Sequence, residues 1–564
     1  MAKASNSNGS LDGVDATEAR APMGALTPLA DAADFNSTFQ WETATGLPTH
    51  IQDLVGTTVN DKPVLGEGAN SPGTVSWQID SGWTMDVGAD GVITWGFFDG
   101  NHAVGINNNA GGEGDGYTPF TPAQEAAARI AIHNWDDLIA PSFVETSNPG
   151  SSEMPQTDIL LANTTTGPAQ AWAYYPYDHQ YKHIGSDVWI ADPRINSSNN
   201  QFLPGQYGLQ TLNHELGHTL GLSHPGSYNF GDDNDGDGVP DPINYTGDAQ
   251  YFQDSNQFTI MSYFDSYETG AQNIDWNVMR FLYPSTPMVD DVYVVQQKYG
   301  ADMTTRTGDT TYGFNATSDV WNEAMRFHKG EMATIFTIWD ANGKDTLDLS
   351  GYATPSVIDL REGGYSSAGG FGDYDARLVG KTPTLAQINA DNAAAGMSDR
   401  SAQLYDIYFK GVAGVNEGLS WKEITGTSDL YLMQQNIGIA YGAIIENAKG
   451  GSGNDRINGN QADNHFWGNG GADTFIIADY SGTIPTPGNP AGKVVVDTST
   501  DTIEDFSRRQ GDKIDLTELQ GVTWSDLSYN AATHTLTIDR DDAADIHLIL
   551  SGVSNVSQSD FIFG

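Results

Sequence analysis

The sequence predicts a multidomain chain, an α/β (α+β) domain followed by an all-β half, and three observations carry that prediction. Its 564 residues exceed one ordinary domain, so two to four are expected. Up to about residue 285, β-like runs mix with two long helical patterns. After about residue 310, short Val, Ile, Leu and Phe runs alternate with Gly, Asp and Asn, and few helical patterns remain.

Residues 1–45 are small, polar and aperiodic, and read as a mobile leader or pro-segment, with an inert tail as the alternative. The first folded domain spans 46–285. Its early β-like pieces are Thr74–Gln78 and Val92–Phe97, and the glycine-rich stretch 105–116 reads as an exposed loop. Thr121-Pro122 supplies a helix cap with proline in the first turn, and Ala126, Ile130, Trp135 and Leu138 recur at roughly helical spacing. Apolar runs at 158–162 and 187–191 read as strands, and 206–222 as a second helix. A connecting helix, 288–300, opens the segment 286–445 that begins the β half. Residues 446–480 hold consecutive nine-residue repeats, and 481–564 form a final β region.

Net charge is −48, from 25 Lys+Arg against 73 Asp+Glu, so the basic footprint of a nucleic-acid binder is missing. Of the acids, 17 are Glu and 56 Asp, and Gly numbers 64. Short carboxylates on tight turns are what calcium loops require. With no cysteine, disulfides, zinc–thiolate sites and thiol-based latency are ruled out. No apolar run approaches the roughly 18 residues of a membrane span, so no membrane anchor is expected. The N-terminus lacks the apolar core of a secretory signal, which taken alone points to the cytoplasm.

Residues 214–226 read HELGHTLGLSHPG. On a helix, His214 and His218 lie one turn apart on one face, within reach of one ion. Gly221 can take a backbone angle that other residues avoid, turning the chain so that His224 approaches as a third ligand. Three nitrogen ligands leave a position open, as a catalytic zinc requires. Glu215 lies beside them, placed to take a proton from an attacking water.

His214, Glu215, His218, Gly221 and His224 match the long zinc signature of metzincin metalloproteases, and Pro225-Gly226 resembles the serralysin family in particular. Thr259-Ile260-Met261-Ser262-Tyr263 is similar to that family's Met-turn. By this resemblance Met261 underlies the zinc, and Tyr263 is a switchable fifth ligand that swings to stabilise the tetrahedral intermediate. Residues 298–316 and 338–352 are similar to the stretch where serralysins pass into their calcium-binding C-terminal half, so the resemblance covers about 50–564. It departs at 105–116 and at an insertion between His224 and the Met-turn.

Three nine-residue units run consecutively at 450–458, 459–467 and 468–476, the period of the RTX parallel β-roll. In that roll six residues make a calcium half-turn and three a strand. Gly450, Gly451, Gly453, Gly468 and Gly470 permit the turns, Asp455 and Asp473 take the ligand position, and Ile457, Phe466 and Phe475 point inward. Units one and three stack on one side; the middle unit is weaker because Asp463 falls one position early. Gly343, Asp345 and Asp348 read as an isolated half-site. In both places metal-free Gly/Asp turns are the alternative. Asp233, Asp235, Asp237 and Asp241 fit a calcium loop of the thrombospondin-repeat sort, against the alternative of a solvated acidic loop.

The ending Asp560-Phe561-Ile562-Phe563-Gly564 resembles the type I secretion signal of serralysins; a final strand is the alternative. The resemblance implies a secreted, extracellular, monomeric zinc metalloendopeptidase made as a zymogen, with one catalytic zinc and several structural calcium ions. Its partners would be protein or peptide substrates and a type I (ABC-transporter) export apparatus. A calcium-dependent extracellular binding or matrix protein with a vestigial protease domain is the rival reading. A zinc hydrolase of non-peptide amides is a third, which the Met-turn disfavours.

Overall fold

The computed structural model describes residues 3–6, 50–98, 113–147, 150–151, 154–155, 157–176, 186–229, 243–329, 334–394, 397–427, 430–540 and 543–564. The first half is built on a sheet of order Lys3–Asn6, Ala171–Tyr174, Asp187–Ala191, Ile159–Thr164, Val92–Phe97 and Ser142–Glu145. The last four strands run parallel; Ala171–Tyr174 is antiparallel to its neighbours on both sides. Ile159–Thr164 and Asp187–Ala191 are buried at every position, as expected of parallel strands covered on both faces. Alternation splits them between two cores. Ile159 and Leu161 face the main one, whereas Leu160, Ala162 and Trp189 join Phe98 and Tyr174 on the other side.

The helix Pro122–Asp136 begins as expected, with Thr121 and Gln124 forming a capping box. Its buried stripe is Ala127, Ala128, Ala131, Ile132 and Trp135, one position along from the expected Ala126–Ile130 register, and Ile130 is 37% exposed. The alanines matter because they let this helix approach Tyr207–Thr219, where the Trp135 Nε1 donates to the Asn213 carbonyl at 3.1 Å. Thr74–Gln78, expected as a strand, is instead the start of a short helix, Val75–Ile79. Thr74 caps it by accepting from the Trp77 amide, and Val75 and Ile79, four apart, bury one face. Five residues are too few for periodicity to separate the two cases.

The connecting helix is Val289–Tyr299. Beyond it, short strands stack in parallel into two ladders. One contains Val357–Asp359, Arg456–Asn458, Thr474–Ile476, Lys513–Asp515 and Phe561–Ile562. The other contains Thr311–Gly313, Thr346–Asp348, Asn447–Lys449, His465–Trp467, Thr500–Ile503 and Ile546–Leu550. The parallel stacking thus extends on both sides of 446–480. Repeat units one and three share a ladder and the middle unit lies in the other, while Ile457, Phe466 and Phe475 are fully buried.

The β pattern misses an inserted group of helices, Leu385–Ala394, Ala402–Phe409 and Trp421–Ile424. Their Tyr408 and Trp421 pack against Trp276, Phe281 and Tyr283 of the first half, with Phe281 and Trp421 rings 4.7 Å apart edge-on. No helix among the described residues is long and apolar enough to cross a membrane.

Candidate active site

The helix Tyr207–Thr219 is buried along its whole length and carries His214, Glu215 and His218. It stops where Gly221 takes φ +86°, a left-handed conformation that frees the chain to double back. Space is as decisive as angle there, because a Cβ on Gly221 would lie 2.0 Å from the Trp83 carbonyl oxygen. The turn delivers His224 to the other two histidines.

Each imidazole is oriented by a backbone carbonyl. The Nδ1 atoms of His214, His218 and His224 meet the carbonyls of Ile260, Leu222 and Tyr228 at 2.7, 2.7 and 3.3 Å. A carbonyl only accepts, so each Nδ1 carries the proton and each Nε2 presents a lone pair. Those Nε2 atoms converge, with His214 3.1 Å from His218 and 3.3 Å from His224. Burial holds the rings neutral, pushing His214 down to about 4 and His224 to about 3. Among the described residues these three form the one group of three or more His, Cys, Asp or Glu side chains whose ligand atoms lie within 4.8 Å of one another. Three buried lone pairs facing one another repel unless a cation lies between them, and this donor set fits a divalent ion with nitrogen preference.

Glu215 is fully buried, neither carboxyl oxygen has a hydrogen-bond partner, and desolvation pushes its carboxyl up. Tyr263 places its ring 4.4 Å from that of His224. Met261 is fully buried and packs against the histidine helix at Gly217, where an added Cβ would meet its Sδ at 2.7 Å. The Met-turn is held from behind by Asp291. One oxygen of Asp291 accepts from the Thr259 hydroxyl at 2.6 Å; the other accepts from the amides of Ile260 and Met288, both at 2.8 Å.

Gly217 and Asp291 escape the sequence reading. Gly217 is signalled only as a glycine inside a helix, and Asp291 only as an acid at a helix start. Tyr175 escapes it too. Its ring stands edge-on to His218 at 5.7 Å, and burial together with the charge of Glu215 pushes its phenol up to about 12.

In the β half, Asp455 accepts from the Ser356 and Gly451 amides at 2.7 and 2.6 Å, and Asp473 from the Asp455 amide at 2.9 Å. The second oxygen of Asp473 is buried without a partner. Close approach explains the glycines: a Cβ on Gly450 or Gly468 would lie 2.3 Å from the Asp455 or Asp473 carboxylate, on Gly451 2.2 Å from the Tyr352 carbonyl oxygen, and on Gly453 2.5 Å from Thr354. Gly470 has 3.6 Å of room. In the middle unit the corresponding position is Asn464, whose Nδ2 donates to the Glu446 carbonyl at 3.2 Å and to Asn460 Oδ1 at 2.9 Å. Its Oδ1 accepts from the Asn460 amide at 2.8 Å, as Asp455 accepts from the Gly451 amide, so this turn presents a neutral amide oxygen where the other two present a carboxylate.

Asp345 is fully buried, one oxygen accepting from the Thr310 amide at 2.7 Å and the other unpartnered, and Gly343 lies against it at φ +154°. Asp348 is directed elsewhere, accepting from the Ser350 amide and from Asn315, with Lys449 at 3.6 Å. The loop carrying Asp233, Asp235, Asp237 and Asp241 lies outside the described residues, as does most of 105–116.

With this geometry, the similarities decide the family. The family described as "Peptidase M10 serralysin C terminal" matches residues 301–396 and 416–563. Serralysin B of Dickeya chrysanthemi is 32% identical over 399 residues, covering 68% of this chain and 71% of that protein. The chain belongs to the serralysin family. Serralysin C of the same organism is 37% identical over 285 residues, 50% of this chain and 53% of that protein. Metalloprotease AprA of Pseudomonas entomophila (strain L48) is 33% identical over 283 residues, 50% of this chain and 53% of that protein. The chain thus spans about half the length of the latter two. Membership places it among the metalloproteases, and the serralysin C-terminal match skips 397–415, within the inserted helical group.

Proposed function

We propose that this serralysin is a zinc metalloendopeptidase, secreted and stabilised by calcium, that hydrolyses internal peptide bonds of proteins. The observation that carries the reading is the convergence of three neutral imidazole Nε2 atoms beside a buried, unbonded carboxyl group. His214, His218 and His224 would hold the zinc. When bound, zinc supplies Lewis acidity, polarising the scissile carbonyl and lowering the pKa of water. Glu215 takes the proton of the attacking water on a carboxyl oxygen and passes it to the departing amine. The Tyr263 hydroxyl donates to the oxygen on which negative charge develops. Met261 fixes the floor beneath the histidines, and Gly221 sets the turn that brings in His224.

Asp455, Asp473 and Asp345, with carbonyls exposed by the neighbouring glycines, would hold calcium in a metzincin-plus-β-roll architecture. Asn464 offers a neutral amide oxygen in place of a carboxylate, which supports reading the middle turn as the weaker site. Scarce cytoplasmic calcium would leave the acidic chain loosely folded for a type I exporter, and millimolar calcium outside would fold it by mass action. Residues 1–45 would act as a leader over the protease; the pairing of Lys3–Asn6 with Ala171–Tyr174 supports that docking.

The test is casein degradation in millimolar calcium, wild type beside Glu215→Ala. Glu215→Ala should lose activity by several orders of magnitude and keep zinc and fold. Equal cleavage by both, or none by a zinc-loaded wild type trimmed of residues before about 45, would sink the reading.

A further inference from the structure

One buried carboxylate near the histidines is used by none of the roles above. Asp254 is fully buried, eight residues before Ser262 and outside the zinc signature. A single oxygen, Oδ1, accepts two hydroxyls, from Tyr228 at 2.7 Å and from Ser262 at 2.7 Å. Its Oδ2 is buried without a partner.

The two donors belong to the two segments that complete the site. Tyr228 lies four residues beyond His224, its carbonyl orients the His224 Nδ1, and its ring stacks on the His224 imidazole with an interplanar angle of 11°. Ser262 stands between Met261 and Tyr263, and its Oγ also accepts from the Phe264 amide at 3.0 Å. Tyr263 and Tyr228 rings are 5.2 Å apart. Neither segment contains a helix or strand that would fix one against the other. The common acceptor joins them by hydrogen bonds, beside the packing of the Tyr228 ring on Tyr263 and Phe264.

We infer that Asp254 is a positioning residue, which clamps the third-histidine segment to the Met-turn and so sets Tyr263 against His224. The Tyr228 side of the clamp fixes the His224 imidazole, and the Ser262 side fixes the backbone from which Tyr263 swings. A carboxyl oxygen suits the task because its two lone pairs take both hydroxyls at once. Asparagine keeps the shape and weakens both bonds, while placing an amide donor where Oδ2 now has no partner. The inference rests on the roles proposed above for His224 and Tyr263.

A double-mutant cycle tests it, run on the full chain with a quenched peptide substrate and with zinc release to a chromogenic chelator. Asp254→Asn should lower kcat about 10- to 100-fold with KM nearly unchanged and speed zinc loss, the cost typical of disturbing residues that orient metal ligands. In a Tyr263→Phe background the kcat penalty of Asp254→Asn should shrink strongly, because the group it orients has gone. Ser262→Ala, which removes one hydroxyl and no charge, should reproduce the kcat effect without changing zinc release. Tyr228→Phe should do the opposite. If Asp254→Asn does not fold, these two milder variants carry the test.

Equal kcat penalties of Asp254→Asn with and without the Tyr263 hydroxyl would overturn the inference, leaving a purely structural carboxylate. So would wild-type kcat and zinc release in both Ser262→Ala and Tyr228→Phe. Failure of the protease reading registers separately, as an unchanged rate in Glu215→Ala.

Discussion

At the scale of single residues, Gly217 fixes the distance between the histidine helix and the Met-turn. An alanine there would push against the Met261 sulfur and lie 3.3 Å from the Trp135 ring, with no room for relaxation in a fully buried layer. Gly217→Ala should therefore destabilise the protein by roughly 1–3 kcal/mol despite the better helix propensity of alanine. Thermal unfolding of the zinc-loaded protein checks this; a raised Tm would show that the layer yields. Glu268 gives a pH-dependent counterpart. Burial, with Asp265 nearby, pushes its carboxyl from 4.5 up to about 8, and Lys62 only partly opposes this. The folded state therefore holds the proton more tightly than the unfolded chain. Stability from this group is complete below about 4.5 and is lost as pH rises through about 8. Glu268→Gln should match wild type in Tm near pH 4 and exceed it above pH 8. A constant difference across that range would refute the shift.

Among elements, the Val289–Tyr299 helix does more than connect the two halves. Asp291 in its first turn saturates both oxygens with three donors, two of them from the Met-turn. The protease floor is thus anchored to the element leading into the β half. Asp291→Ala strands the Thr259 hydroxyl and two buried amides, each costing roughly 1–3 kcal/mol when unpaired. The expected outcome is a large fall in Tm together with faster zinc release, read by calorimetry and chelator competition. A fall in Tm without any change in zinc release would separate the helix from the site. The inserted helices act at the same scale, covering Trp276 and Phe281 with Tyr408 and Trp421, so a half whose pattern reads as mostly β contains an α-helical clamp onto the first half.

For the whole molecule, charge governs. A net −48 must be folded with carboxylates such as Asp345, Asp455 and Asp473 buried in the ladder turns. Burying them uncompensated is costly, and calcium bound at the proposed sites would offset that cost only in the folded state. Chelation by EGTA should lower the unfolding temperature of the β half, with a stabilisation of about 2.7 kcal/mol returning at calcium a hundredfold above the dissociation constant. Asp473→Ala should require more calcium for the same Tm, whereas Asn464→Ala, which removes no charge, should shift the calcium midpoint less. An unfolding temperature indifferent to calcium would remove metal from the account of these turns.

The sequence by itself determined the histidine triad, Glu215, the turn at Gly221 and the nine-residue stacking, because each is a local spacing rule set by helix pitch, glycine conformation or strand period. The same locality made it fail at Thr74–Gln78, where five residues carry no decisive period, and at Ile130, where the packing partner selected a neighbouring stripe. What only the tertiary structure decided were contacts between distant segments. Asp291 meets the Met-turn across about thirty residues of sequence, Asp254 joins Tyr228 to Ser262, and Gly217 is pinned by Met261. No period or motif encodes such partners. They follow from which surfaces the folded chain brings together, and buried polar groups take whatever donors that packing supplies.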